Sequence, residues 1–196
     1  FPQYFAFSTA IYAFVLIPLF EHFIPFTDKN LSETEESNVV KKSRYDYFLW
    51  LSVPIQWGIV VYFLMLVSQN SYSALQLIGM TSAVGVCSGV LGINVAHELG
   101  HRSNKLEQFF SQILLLSSLY LHFFVEHNHG HHRYVATPND PATARLNENV
   151  YRFLLRSMSE GYVSAWHIQT GILKKQHISF FSLRNTMLLF QIAQIL

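Results

Sequence analysis

Three long apolar runs constrain the fold of this chain more than any other feature. They cover about residues 4–23, 47–67 and 74–96, so each is about 20 residues or longer. A helix of that length crosses the ~30 Å hydrocarbon core of a bilayer, where the backbone must satisfy its own hydrogen bonds. The runs therefore predict an all-α integral membrane protein, built as a transmembrane helical bundle.

The composition favours the same class of protein. Of the 196 residues, 51% are hydrophobic and only 13% are charged, well below the roughly 25% of a typical soluble domain. No basic run indicates nucleic-acid binding. The single cysteine, Cys87, lies inside an apolar run, so we expect no disulfide framework and no iron–sulfur centre held by this chain alone.

The remaining segments predict further contacts with the membrane. A fourth apolar run covers 109–125, residues 147–175 have the mixed pattern of an amphipathic interfacial helix, and 185–196 reads as the start of another span. The sequence begins without methionine and stops inside an apolar run. We therefore interpret 1–196 as a single membrane-embedded domain that is truncated at both ends.

Basic residues in the first polar loop predict the orientation in the membrane. Lys41, Lys42 and Arg44 lie in the loop 27–46. If each of the first three runs spans the bilayer, the end of the third run lies on the same side as this loop. Because basic residues are enriched on the cytoplasmic side, this end and the histidines that follow it are predicted to be cytoplasmic.

The first histidine motif, "HELGH", runs from His97 to His101 at the end of the third run. Side chains four residues apart lie on one face of a helix, so both imidazoles can bind one metal ion. The same HExxH pattern marks zinc metalloproteases, in which the glutamate, here Glu98, is the general base. Two histidines at a membrane–water boundary, without a metal, are the alternative.

The second histidine motif, "EHNHGHH", covers 126–132. His127 and His131 are again four residues apart, and His132 is adjacent. His129 is expected either to lie behind the ligands or to face solvent. Five clustered imidazoles exceed the needs of one catalytic zinc, and they suit either two metals or one site with many ligands. Nitrogen ligands are compatible with zinc, copper, iron and nickel. A proton-responsive cluster without a metal is the alternative.

Carboxylates beside these histidines are candidates for orienting the imidazoles. Glu98 and Glu126 each adjoin a histidine, and a carboxylate can hold an imidazole through its free ring nitrogen. The alternative is that both glutamates lie at the membrane interface and contact solvent. Asp140 either takes the same orienting role or caps a helix that begins near Pro141.

A metal site shared by the two motifs restricts the fourth run. If the third and fourth runs were straight antiparallel spans, the roughly 20 residues between the motifs would separate them by about 30 Å. We therefore predict that 109–125 lies along the interface, re-enters the membrane, or breaks near Ser117 and Ser118.

Glycines in the third run suggest how its helix packs. Gly85, Gly89 and Gly92 recur at helical spacing. Such a stripe favours the close approach of a second helix. Room for a chain-like substrate is the other interpretation.

The two motifs and their flanking residues resemble a known family. The segments "NVAHELGHR" and "HFFVEHNHGHHRYVATPNDPATAR" resemble those of the membrane-bound alkane monooxygenases, the rubredoxin-dependent relatives of xylene monooxygenase and of fatty-acid desaturases. The resemblance implies a multi-pass, non-haem di-iron enzyme of the bacterial cytoplasmic membrane. It would insert one atom of O2 into the terminal C–H bond of an alkane. Electrons would come from rubredoxin, which a NAD(P)H-dependent reductase reduces.

The resemblance also assigns the iron ligands to five histidines: His97, His101, His127, His131 and His132. The family has further ligands in a "NYxEHYG"-like motif and in a third box of "LQRHxxHH" type, and this sequence contains neither. We therefore expect these residues to supply only part of a di-iron site. The rival interpretations are a xylene or fatty-acyl hydroxylase of the same fold, an intramembrane zinc protease that uses the HELGH motif, and a metal-sensing or transport protein.

Overall fold

Helices make up all the regular structure of the described residues. The computed structural model describes residues 3–24, 30, 32 and 44–196. The chain divides into two compact units, Phe1–Val95 and Ala96–Leu196. The predicted all-α fold class is confirmed for this part of the chain, whereas the single-domain interpretation stays a prediction.

Three helices in the described residues are long and apolar enough to cross a membrane: α1 (Phe5–Phe23), α2 (Tyr45–Gln69) and α3 (Ala74–Gly100). Their surfaces carry large exposed apolar side chains, among them Phe14 and Phe48. Outward-facing side chains of this kind are typical of helices that contact lipid. Lys41 and Lys42 lie outside the described residues, so the cytoplasmic orientation stays a prediction.

Helix α3 makes its close helix contact at Gly79. The helix begins at a capping box. The Ser73 hydroxyl accepts a hydrogen bond from the Gln76 backbone N–H, and the Gln76 side chain accepts one from the Ser73 backbone N–H. A Cβ atom added at Gly79 would lie 2.6 Å from the Cβ atom of Ala6 on α1. At Gly85 and Gly89, no described atom lies within 4 Å of such a Cβ. The predicted close packing is therefore wrong at these two positions.

The second unit contains four further helices: α4 (Lys105–Leu116), α5 (122–134), α6 (Val150–Lys175) and α7 (Thr186–Ile195). Helix α4 has 12 residues, about 18 Å at 1.5 Å per residue, which is too short for a span. The chain therefore reverses after α4, and α5 returns towards the end from which α4 began.

The reversal is a Schellman motif, in which the backbone N–H groups of Tyr120 and Leu119 donate to the carbonyl oxygens of Leu115 and Leu116. Leu119 takes the left-handed conformation that the motif requires, with a φ of 53°. The fourth apolar run thus breaks after Ser117 and Ser118, where a shared metal site requires a break.

The core of the second unit holds the two histidine segments in place. Its fully buried apolar side chains include Leu99, Leu114, Leu115 and Met187. The Ser111 hydroxyl of α4 donates to the carbonyl oxygen of Ala96 at 2.6 Å, which ties α4 to the start of the HELGH segment. Helix α6 is amphipathic and buries one face, with Gly161, Ala165, Gln169 and Leu173.

Two glycines of α3 allow a matched test of the packing in the first unit. We expect Gly79→Ala to destabilise the protein by about 1–3 kcal/mol, because the α1 backbone must move away from the new methyl group. Gly85→Ala should instead stabilise it by up to about 1 kcal/mol, since alanine favours a helix and the site is open. Unfolding by SDS in mixed micelles measures both. Equal effects of the two substitutions would contradict the described packing of α1.

Candidate metal centre

Four histidine side chains of the second unit converge on one point. His97 and His101 come from the HELGH segment, and His127 and His132 come from α5. One ring nitrogen of each lies within 4.8 Å of the others. Three Nε2 atoms are closer still: those of His101 and His127 are 3.1 Å apart, those of His101 and His132 are 3.3 Å apart, and those of His127 and His132 are 3.0 Å apart.

Hydrogen bonds alone cannot satisfy this triangle of Nε2 atoms. A neutral imidazole carries one N–H group, so each Nε2 atom is either a donor or an acceptor. Among three atoms at least two must be alike. At least one of the three contacts therefore sets two lone pairs, or two N–H groups, against each other. A cation between the rings removes the conflict, because all three lone pairs can point towards it.

The spacing of the three nitrogens also fits a metal ion. Nitrogen ligands at about 2.0–2.1 Å from a metal lie about 2.9 Å apart at right angles and about 3.4 Å apart in a tetrahedron. The three observed Nε2 separations, 3.0, 3.1 and 3.3 Å, lie between these limits. The geometry and the chemistry of the donor set therefore both suit metal binding.

Their surroundings keep two of these imidazoles in the neutral form that binds metals. His127 is buried, and burial, followed by the charges of the neighbouring histidines, lowers its pKa to about 3. His101 is more exposed, and its pKa is lowered by partial desolvation and then by His97 and His132. Both rings therefore offer a lone pair at neutral pH.

A π-helical turn explains which histidines of the second motif come together. Residues His127–His131 form a π-helix, in which hydrogen bonds join residues five apart. This turn brings His132, five residues later, beside His127, while His131 at the α-helical spacing also stays next to it. A second π-helical segment, Ser88–Asn94, precedes the HELGH motif.

Gly130 lets this π-helical turn pack closely in the second unit. A Cβ atom at this position would lie 2.6 Å from the Oε1 atom of Glu126 and 2.9 Å from the Cδ1 atom of Ile168 on α6. Any larger side chain would require the ends of the Glu126 and Ile168 side chains to shift. The glycine therefore leaves room for these two side chains beside the histidine motif.

His131 lies outside the group of four. Its Nδ1 atom donates a hydrogen bond to the Oδ2 atom of Asp140 at 2.9 Å, and its ring stacks on that of His127 with centroids 5.2 Å apart. With the proton on Nδ1, the lone pair of the neutral ring is on Nε2. The structure therefore orients His131 in a form that can bind a metal, without placing it in the cluster.

Asp140 is the carboxylate that contacts a histidine of the motifs. It is fully buried, and it accepts further hydrogen bonds from the Thr143 hydroxyl and from the backbone N–H of Ala142. Burial alone would raise its pKa, but these bonds and His131 outweigh burial and hold the pKa below its usual value. The residues after Pro141 form turns, so Asp140 orients His131 rather than capping a helix there.

The two glutamates predicted to orient imidazoles make their contacts elsewhere. Glu98 pairs with Arg102 at 3.3 Å, and its side chain is 57% exposed. Glu126 is buried, and the Ser164 hydroxyl donates to it at 3.5 Å. Burial, and then the charge of Asp140, raises the pKa of Glu126. Their role at the site stays a prediction.

Sequence reasoning missed one further histidine with an unusual environment. His122 is buried, and its ring lies edge-on to those of Tyr120 and Tyr162. Its Nε2 atom has no hydrogen-bond partner among the described residues, and burial lowers its pKa to about 4. Its position five residues before His127, in an apolar run, was the only available signal.

Comparisons with known proteins agree with the histidine centre. A family model described as fatty acid desaturase matches residues 72–196. Alkane 1-monooxygenase 1 of Alcanivorax borkumensis is 34% identical over 173 residues, and alkane 1-monooxygenase of Pseudomonas putida is 32% identical over 173 residues. Each of these alignments covers 88% of this chain and 43% of the relative.

A xylene/toluene monooxygenase hydroxylase component of Pseudomonas putida is 28% identical over 111 residues, which cover 57% of this chain and 30% of that protein. The chain thus spans less than half the length of these curated relatives. The resemblance to the alkane monooxygenases is confirmed, and the family match covers well over half of the chain. The chain therefore belongs to the fatty acid desaturase family.

Proposed function

We propose that this chain supplies part of the active site of a non-haem di-iron monooxygenase that hydroxylates the terminal carbon of alkanes. The reaction consumes an alkane, O2, two electrons and two protons, and it yields a primary alcohol and water. The observation that carries the proposal is the triangle of Nε2 atoms of His101, His127 and His132, 3.0–3.3 Å apart.

The residue types favour iron in a role that needs open ligand positions. An unactivated C–H bond demands an oxidant that no side chain provides, and bound iron supplies it by activating O2. Imidazole is a good ligand for iron. Four imidazoles close a tetrahedral zinc site but leave two positions free on an octahedral metal. The four converging histidines therefore suit an oxygenase better than a site with one tetrahedral zinc.

A second iron is supported by the orientation of His131. Its Nδ1–H group is held by Asp140, which fixes the ring and increases the basicity of Nε2, as carboxylates do for metal-binding histidines. We therefore keep all five histidines as metal ligands: His97, His101, His127, His131 and His132. The remaining ligands of a di-iron site are expected from residues outside this sequence.

The relatives support an alkane as the substrate class. Two relatives named for alkane 1-monooxygenation are 34% and 32% identical over 88% of this chain. The xylene/toluene relative is 28% identical over 57% of it. These values favour an alkane over an aromatic or fatty-acyl substrate for this chain.

The electrons are proposed to come from a separate protein. Cys87 is the only cysteine, and a single cysteine cannot form the four-thiolate site of an iron–sulfur or rubredoxin-type centre. We assign the donor as rubredoxin, reduced by a NAD(P)H-dependent rubredoxin reductase. The three helices with the length and composition of spans, together with the bacterial relatives, support a location in the bacterial inner membrane, with the histidine motifs on the cytoplasmic side.

The zinc protease alternative fits the geometry less well. Its general base, Glu98, should face the metal-bound water, but this carboxylate pairs with Arg102 and is largely exposed. The HELGH histidines also share their site with His127 and His132. A metalloprotease of this type leaves these two histidines without a role.

Two histidines of the second motif provide a matched test. In the natural protein, purified anaerobically in detergent, we expect His132→Ala to lose iron and to lower octane hydroxylation with rubredoxin by at least about 100-fold. His129→Ala, in the same motif but outside the cluster of four, should retain iron and activity within about twofold. Iron analysis and octanol formation measure the two effects. An equal loss in both variants, or none in His132→Ala, would contradict the assigned site.

Glu98→Gln separates the oxygenase from the protease. Because the Glu98 carboxylate is bonded to Arg102, we expect the variant to keep its iron and to lose less than about tenfold in hydroxylation. The assay is octanol formation, with peptide hydrolysis measured in parallel. Metal-dependent peptide cleavage that Glu98→Gln abolishes, in a protein that forms no octanol, would establish the protease instead.

A further inference from the structure

Arg156 on α6 is almost completely enclosed by hydrogen-bond partners. Its side chain is 8% exposed, and that of Glu148, its partner, is 2% exposed. Its Nε and Nη2 atoms donate to the two carboxylate oxygens of Glu148, both at 2.7 Å. This bidentate geometry is the strongest form of an arginine–carboxylate pair.

The other donors of Arg156 hold the loop 135–149. Nη1 donates to the carbonyl oxygen of Pro141 and Nη2 to that of Thr143, both at 2.9 Å. Nη1 also reaches Glu160 at 3.5 Å. These contacts use all five N–H donors of the guanidinium group. Arg156 therefore bonds α6 to three residues of the loop, next to a longer pair of Arg145 with Glu160 at 3.6 Å.

The two carbonyl groups that Arg156 binds lie close to Asp140 in the sequence. Pro141 and Thr143 lie on either side of Ala142, whose N–H donates to the Asp140 Oδ1 atom at 2.9 Å. The Thr143 hydroxyl donates to Oδ2 of the same carboxylate. The Oδ2 atom in turn accepts the Nδ1–H group of His131. An unbroken set of contacts thus runs from Arg156 to a histidine of the second motif.

We propose that Arg156 is a positioning residue for the metal centre: by fixing the backbone around Asp140, it keeps this carboxylate bonded to His131. The inference rests on the proposed function, because it assumes that the histidine centre binds iron. It assigns to Arg156 a role that the sequence pattern did not suggest, 24 residues after His132.

The Arg156–Glu148 pair is charged at neutral pH. Hydrogen bonds from Arg156, and then from the backbone N–H of Arg145, lower the pKa of Glu148 to about 2. The carboxylate is therefore ionised at neutral pH. Lysine cannot replace the arginine, because one ammonium group cannot bind both carboxylate oxygens and two carbonyl groups in this planar arrangement.

Release of iron to a chelator tests this role in the natural protein, purified anaerobically in detergent. We expect Arg156→Gln to accelerate release by about 10–100-fold, and Arg156→Lys to do so by a smaller factor. Arg152→Gln, an exposed position on the same helix, is the matched control and should leave the rate within about twofold. Thermal unfolding, followed by circular dichroism, shows which variants fold. If Arg156→Gln does not fold, Arg156→Lys provides the comparison.

A double substitution distinguishes positioning from general stabilisation. If Arg156 acts through Asp140, adding Arg156→Gln to Asp140→Asn should change the release rate by no more than about twofold relative to Asp140→Asn alone, because coupled residues are not additive. Additive effects, or release from Arg156→Gln or from Arg156→Lys at the rate of Arg152→Gln, would overturn the inference. An unmodified protein that binds no iron would instead contradict the proposed function.

Discussion

The close approach of the Nε2 atoms of His101, His127 and His132 is the constraint on which the rest of the second unit depends. At least one pair among these three imidazoles opposes like groups unless a cation lies between the rings. Bringing them together requires the chain to leave the HELGH segment and return to it. The chain achieves this between residues 105 and 134. It uses a short α4, a left-handed Leu119 and an α5 that returns.

The second constraint is that the buried polar groups next to the histidines need hydrogen-bond partners. A carboxylate as buried as that of Asp140 is unfavourable unless each oxygen has partners. Thr143, Ala142 and His131 provide them. The same bonds fix the direction of the His131 ring, so the stability of the loop and the orientation of a ligand depend on the same atoms.

Much of the fold was predictable because lipid leaves few choices. Long apolar runs predicted the helices α1 to α3, and the distance between the two histidine motifs predicted that 109–125 is not a straight span, with a break near Ser117 as one option. These predictions follow from chain length and helical geometry, which sequence spacing expresses directly. Four of the five ligands that the family resemblance implies lie in one cluster.

The remaining features depend on tertiary contacts that spacing does not encode. The π-helical turn at 127–131 brings His132 beside His127 while His131 still stacks on it. Of the three carboxylates proposed to orient imidazoles, Asp140, from a loop, is the one bonded to a histidine. Close packing occurs at Gly79, where a Cβ atom would meet Ala6 of α1. Each outcome depends on a neighbour that is distant in the sequence or on a local helix type without a sequence signature.

Metal analysis of the natural protein, purified anaerobically in detergent, tests the central claim most directly. If the histidine triangle belongs to a di-iron oxygenase, the protein should contain about two iron ions per chain and little zinc. One zinc ion per chain with negligible iron would contradict the account, and it would make the HELGH motif that of a zinc enzyme.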